Sequence, residues 1–217
     1  MKLVSLAALA LLAAMPAAAQ DPAAVAPDSY KVLAENARVR VLRVTMAPGS
    51  KAATHSHPAH LVVGLEGGTV RTTLPDGTSS EAKIETNGAL LAPAGPHATA
   101  NPGTTPVTGI IVEMKGAPGT AVLPAARPGQ TAKTLAEDAR VRVSRVSIDP
   151  AFVEAAGTTH DYDQVVITLA PSDISLSVEG KTTSAWKRGD VSLIGRGVAH
   201  QSKGGAAATD VVIVAIK

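Results

Sequence analysis

Leu33-Ala34-Glu35-Asn36-Ala37-Arg38-Val39-Arg40-Val41 recurs as Leu135-Ala136-Glu137-Asp138-Ala139-Arg140-Val141-Arg142-Val143, 102 residues further on. The same offset relates Arg43-Val44 to Arg145-Val146 and Pro48 to Pro150. A repeat that keeps its register over such a length marks one structural unit built twice. The units run over 30–115 and 131–217. Between them, residues 116–130 carry Pro118, Pro124 and Pro128 with Gly119 and Gly129, a composition that suits an inter-domain linker.

Both units read as β-structure. Short runs rich in Val, Ile and Thr are separated by Gly, Pro, Asn and Asp at intervals of about 8–12 residues, the pattern of sandwiches and barrels. In unit one the expected strands are Arg38–Met46, Leu61–Leu65, Thr69–Leu74, Ser80–Ile84, Ala89–Ala92 and Val107–Met114. Pro75-Asp76-Gly77 is a hairpin turn, since Gly tolerates the positive φ of tight turns. Unit two repeats the plan with Arg140–Ile148, Val165–Leu169, Ile174–Val178, Thr182–Trp186, Val191–Ile194 and Val211–Ile216. In the first strand of each unit the alternation slips. Val39 and Val41 share a face and Val44 falls on the other, as do Val141, Val143 and Val146, which predicts a shared β-bulge. The expected fold is all-β: two tandem small barrels, closed enough to limit exposed strand edges.

The chain opens with Lys2, an apolar run Leu3–Ala14, then Ala17-Ala18-Ala19-Gln20. That is the three-part pattern of a secretory signal, residues 1–19, with a flexible mature start over 20–29. An apolar run of about a dozen residues is short of the roughly 20 that span a bilayer. The expected location is periplasmic or secreted, with no membrane contact after the signal is cleaved. The 217 residues include no cysteine, which removes disulfides, thiolate metal sites and thiol catalysis. The net charge is only +2, and the basic residues are dispersed among four aromatics. Binding of single-stranded nucleic acid needs a basic groove with stacking platforms, so no nucleic-acid partner is expected.

The six histidines carry the chemistry. His55 and His57, at i and i+2, share one face of a strand. Pro58 interrupts pairing and lets His60 turn back towards that face. His97 follows the rigid turn Pro93-Ala94-Gly95-Pro96 and approaches from a neighbouring strand. Three or four neutral imidazoles meeting inside a barrel make a site for one divalent transition metal, Fe, Zn, Ni or Cu.

Gly49, then His55-Ser56-His57, then Leu65-Glu66-Gly67 resembles the first motif of the cupin superfamily. Gly88, Pro93-Ala94-Gly95, His97 and Asn101 resemble the second. The resemblance covers essentially the whole chain after the signal, once per unit, and implies a double-stranded β-helix or jelly-roll barrel in each, a bicupin. It implies His55, His57 and His97 as metal ligands, with His60 as a fourth. Two features depart from the pattern. The family places a metal-binding Glu three or four residues after His-x-His, where this chain has His60 two residues after. One residue, not two, separates Gly95 from His97. A His-only site lacks the carboxylate oxygen that suits Mn.

In unit two, His160 aligns with His57, Asp163 with His60 and His200 with His97 at an offset of 103, while Thr158 stands for His55. Two histidines and a carboxylate are a donor set for Fe(II), and equally what a decayed site leaves behind. Glu113 is a lone carboxylate within Ile110-Ile111-Val112-Glu113-Met114, and its unit-two equivalent is Ala215. It has two readings, a group that orients a ligand or acts as a base, and a solvent-exposed strand end. The functions compatible with this chain are a metal-dependent oxygenase or isomerase acting on a small-molecule ligand, a non-catalytic binder of a metal or small ligand, and a structural or partner-binding module. Oligomerisation is left open.

Overall fold

The computed structural model describes residues 20–123 and 126–217; the expected secretory signal, 1–19, lies outside the described residues. Unit one contains β1 (Tyr30–Glu35), β2 (Val39–Met46), β3 (Lys51–His57), β4 (His60–Glu66), β5 (Gly68–Thr73), β6 (Ser79–Ile84), β7 (Ala89–Ala92), β8 (Gly95–Ala100) and β9 (Val107–Met114). A five-stranded sheet in the order β1-β2-β9-β4-β7 faces a four-stranded sheet, β3-β8-β5-β6. Unit two contains β10 (Gln130–Glu137), β11 (Val141–Ile148), β12 (Asp163–Thr168), β13 (Ser175–Val178), β14 (Lys181–Thr183), β15 (Val191–Ile194), β16 (His200–Lys203) and β17 (Thr209–Ile216). Its sheets, β10-β11-β17-β12-β15 and β14-β13-β16, repeat the topology except at β3, whose counterpart is reduced to isolated bridges of Val153 and Thr158. All pairings are antiparallel. The β5–β6 hairpin turns where expected, with Gly77 at φ +86°.

The slip in the valine pattern has a different cause from the one expected. β2 pairs with β9 without interruption, from Val39 opposite Met114 to Met46 opposite Val107. The bulge sits on the neighbouring edge strand instead, between Val32 and Ala34 in β1, and at the same place in the repeat, between Thr134 and Ala136 in β10. β2 carries apolar residues on both faces because both faces are covered. Val39 and Val41 pack into one core, while Leu42, Val44 and Met46 pack into another.

The first of those cores lies between the units. Eight buried residues of unit one, among them Val39, Leu61, Ile110 and Val112, pack against eight of unit two, among them Val141, Val165, Ile167 and Val214. The two five-stranded sheets thus meet face to face, and β1 lies along β15 as β10 lies along β7. Polar contacts rim this seam. Arg38 Nε donates to Asp163 Oδ2 at 2.6 Å and Asn36 Nδ2 to Asp163 Oδ1 at 3.1 Å. Arg43 reaches the Gly189 carbonyl at 2.8 Å, and Arg188 reaches Asn87 Oδ1 at 2.7 Å. Burying a Val, Leu or Ile side chain contributes about 1.5–3 kcal/mol, so two facing sets of eight hold the barrels against each other.

The start of the described chain is not the flexible tail expected over 20–29. Asp21 caps a four-residue helix, α1 (Pro22–Val25), by accepting from Ala23 N at 2.7 Å. Ala23 and Ala26 pack on the interior of barrel one. Asp21 also pairs with Arg40 at 2.5 Å, and Ser56 N donates to the Gln20 carbonyl at 2.9 Å. Residues 116–123 likewise lie on a barrel, with Leu123 buried against Tyr162 and Ala215 of unit two.

Candidate metal centre

β3 and β8 build the centre. His55 and His57 stand on one face of β3, and the ladder sets His55 directly opposite His97 on β8. Asn101 anchors the turn after β8, its Nδ2 donating to the Met46 carbonyl at 3.0 Å and the Thr105 carbonyl at 2.8 Å. One nitrogen each from His55, His57 and His97 falls within 4.8 Å of the others. The ring centroids lie 5.0 Å apart for His55 and His57, 4.8 Å for His55 and His97, and 5.4 Å for His57 and His97. His60, the first residue of β4, is buried with its ring 4.6 Å from His57 and 6.3 Å from His97. It flanks the triad, and the group of nitrogens lying within 4.8 Å of one another does not include one of His60, which was expected as a fourth ligand.

Hydrogen bonds settle which nitrogen the rings of His55, His57 and His60 present. The Nδ1 of His55 donates to the Ala53 carbonyl at 2.7 Å, and that of His60 to the Pro58 carbonyl at 2.9 Å. Nδ1 of His57 donates to Glu113 Oε1 at 2.6 Å. Each ring then offers the lone pair of Nε2. Nε2 of His55 is buried and has no hydrogen-bond partner, a costly state for a polar atom unless a cation takes the lone pair. Burial, with the neighbouring imidazoles acting in the same direction, holds His60 and His97 down at about 4 and lowers His55. All three are neutral at physiological pH, as ligation of a metal requires. The residues therefore fit a divalent metal ion: His55, His57 and His97 would hold it, with His60 beside them.

Glu113 resolves to the orienting reading. It is 3% exposed on β9, next to His60 in the ladder and opposite Arg40. A carboxylate behind a ligating imidazole fixes its tautomer and raises its basicity. Arg40 Nη1 lies 3.8 Å from Glu113 Oε2 and also serves Asp21. Tyr30, from β1, lays its ring 5.0 Å from His55 and donates to or accepts from Thr99 Oγ1 at 3.0 Å.

The centre opens into a cavity of about 390 Å³ inside barrel one, walled by Val44, Met46, Val62, Val70, Leu90 and Ile111, with His57, His60 and His97 in its lining. No Asp, Glu, Lys or Arg is among the lining residues.

In unit two the ladder corrects the alignment. Gln164 stands opposite Ala215 as His60 stands opposite Glu113. Gln164, not Asp163, therefore occupies the place of His60. One extra residue turns Asp163 to the opposite face, where Arg38 and Asn36 of unit one hold it. The carboxylate beside His160 and His200 is Glu154, which the sequence reading missed. The signal was a lone acid in the otherwise uncharged stretch Ala151-Phe152-Val153-Glu154-Ala155-Ala156.

No family model matches the chain, and no curated protein does. Solved structures do match in shape. Salicylate 1,2-dioxygenase from Pseudaminobacter salicylatoxidans superposes with a TM-score of 0.63 at 13% identity, covering 86% of this chain and 75% of that one. The same enzyme with gentisate gives 0.62 at 15% identity, covering 84% and 70%. A cupin 2 conserved barrel domain protein from Leptotrichia buccalis gives 0.57 at 13% identity, covering 87% and 88%. Identities this low speak for the fold alone, and the chain shares the fold of these structures, a cupin barrel protein among them.

Proposed function

We propose that this is an exported metalloprotein whose first barrel holds one divalent transition metal, Fe, Zn, Ni or Cu, on His55, His57 and His97 with His60 as the fourth donor, and that it acts on a small molecule as an oxygenase or isomerase. The carrying observation is the convergence of three imidazoles, His55, His57 and His97, one of them backed by the buried Glu113, beside a largely aliphatic cavity that His57 and His97 line. A metal there would supply Lewis acidity and exchangeable coordination positions. This chain's own residues select the ligand. Walls of Val, Leu, Ile and Met favour a compact apolar molecule, and a ligand carboxylate would meet no Lys or Arg in the lining. Salicylate and gentisate, named with the structural neighbours, both carry a carboxylate, so the preferred ligand here is a neutral molecule with a hydroxyl or carbonyl group to reach the metal. A non-catalytic binder of a metal or small ligand is the second reading, supported by the absence of any charged general base in the lining.

Elemental analysis tests the site. Protein purified without a histidine tag should hold close to one transition-metal ion per chain. His57→Ala or His97→Ala should abolish it and His200→Ala should not; metal content that survives both first-barrel changes would overturn the assignment. The Co(II)-substituted protein then separates the readings. An enzyme site changes its visible spectrum with azide or a neutral hydroxylated ligand, whereas a site closed by protein ligands does not.

A further inference from the structure

Unit two brings Glu154, His160 and His200 together, with one ligand atom from each within 4.8 Å of the others. Val153 bridges Lys203 as Lys51 pairs with Ala100 in unit one, so Glu154 takes the inward place that Ala52 holds there. Glu154 and His200 are buried, and His160 is half-buried at a ring distance of 4.7 Å from His200. Nδ1 of His200 donates to the Val198 carbonyl at 3.1 Å, which turns Nε2 inside, 3.5 Å from Glu154 Oε2 and without a hydrogen bond. Nε2 of His160 accepts from Arg127 at 3.1 Å, so it too presents a lone pair. Ser202 orients the carboxylate, its N and Oγ donating to Glu154 Oε2 at 3.0 and 2.8 Å. Two imidazoles and one carboxylate, with His200 and the carboxylate held from behind, are a donor set for Fe(II), Co(II) or Zn(II).

A guanidinium already bridges these groups. Nη1 of Arg127 contacts the other oxygen of the carboxylate, Glu154 Oε1, while Nη2 donates to His160. Arg127 belongs to no strand of the barrel. It comes from the segment between the units, which Leu123 pins beside Tyr162. An arginine is always charged, and a buried carboxylate needs a cation beside it. Arg127 contacts two of the three groups a metal ion would, Glu154 and His160, and two cations sharing them would repel. Outside Arg127 the group faces an open cleft bounded by Val122, Thr158, Asp161 and Arg196.

We propose that barrel two carries a second divalent-metal site, Glu154–His160–His200, and that Arg127 is its plug, the chain's own cation standing where the metal would bind. Withdrawing Arg127 opens the site. The test titrates the full mature chain with Co(II), following heat and the visible spectrum, and compares Arg127→Ala with the wild type. Because the readout is the difference between the two, it does not depend on what barrel one holds. One additional equivalent is expected in Arg127→Ala, and adding His200→Ala should remove it. Arg127→Gln, which keeps a hydrogen-bonding group on a shorter, uncharged side chain, should also gain the equivalent. No gain in either variant, each shown to be folded by circular dichroism, overturns the proposal. So does a gain that survives His200→Ala. Failure of both variants to fold overturns it as well, since a removable plug is not what a fold rests on.

Discussion

Replacing Glu113 tests the centre at its most informative point. The carboxylate is buried, its Oε1 accepts from His57 Nδ1 at 2.6 Å, and both side chains are under 5% exposed. Glu113→Gln keeps the shape and an acceptor oxygen but removes the anion that strengthens the imidazole as a donor. Glu113→Ala leaves the Nδ1–H of His57 buried without a partner. Arg40 is not orphaned by either change, because Asp21 remains on it at 2.5 Å, so the effect is confined to His57. Loss of a carboxylate behind a ligating histidine costs about 10- to 100-fold in metal affinity, or ~1.4–2.8 kcal/mol. We expect about tenfold for Glu113→Gln and about a hundredfold for Glu113→Ala. The metal-free Glu113→Ala protein should also lose about 1–3 kcal/mol of stability through the unpaired Nδ1–H. Competition of a chelator for Co(II) measures the affinity, and urea unfolding of the metal-free protein measures the stability. An affinity for Glu113→Ala within about twofold of wild type, well short of the expected range, would refute the orienting role and with it the place of His57 in the site.

The metal-free protein should lose stability in acid. His60 is held at about 4 against an ordinary 6.5, so below 6.5 the unfolded chain takes the proton first, and the loss grows until about pH 4. His60 alone accounts for about 2 kcal/mol by pH 5, with the half-exposed His97 adding less; urea midpoints that stay flat from pH 7.5 to 5 would contradict this. Asp163→Asn should weaken the seam between the barrels by about 1–3 kcal/mol and leave the metal content unchanged; a loss of metal would return Asp163 to a ligand role. Leu61→Ala, at a fully buried seam position, should cost about 2–5 kcal/mol and still give a single unfolding transition, whereas two separate transitions would show the barrels to be independent. Natively expressed protein should be released by osmotic shock with Gln20 at its N-terminus, and retention of Met1 would overturn export.

Much of this was legible in one dimension. The offset of 102 between Leu33–Val41 and Leu135–Val143 announces two copies of a unit without any knowledge of contacts. The spacing of His55 and His57 puts both on one face because the period of a strand is two. What pattern alone could not supply is which face meets what. The valines of β2 look like a slipped alternation until the second barrel is seen to cover one side and the first barrel's interior the other. Glu113 reads as an exposed strand end until β9 is placed between β2 and β4, which brings its carboxylate 2.6 Å from His57, 56 residues earlier in the chain. Asp163 aligns with His60 by counting, but one inserted residue inverts the facing of every side chain that follows. The ladder alone decides that Gln164 faces inward and that Asp163 belongs to Arg38. Arg127 sits in a stretch whose prolines and glycines describe a spacer, and only its arrival beside Glu154 and His160 gives its charge a purpose. Sequence determined the repeat, most of the strands and the spacing of the histidines, because periodicity and repetition are properties of a line; β1, β3, β8, β10 and β16 were given no range by it. Tertiary structure decided the carboxylates and the arginine, because a charge is defined by its neighbours, and those come from distant parts of the chain.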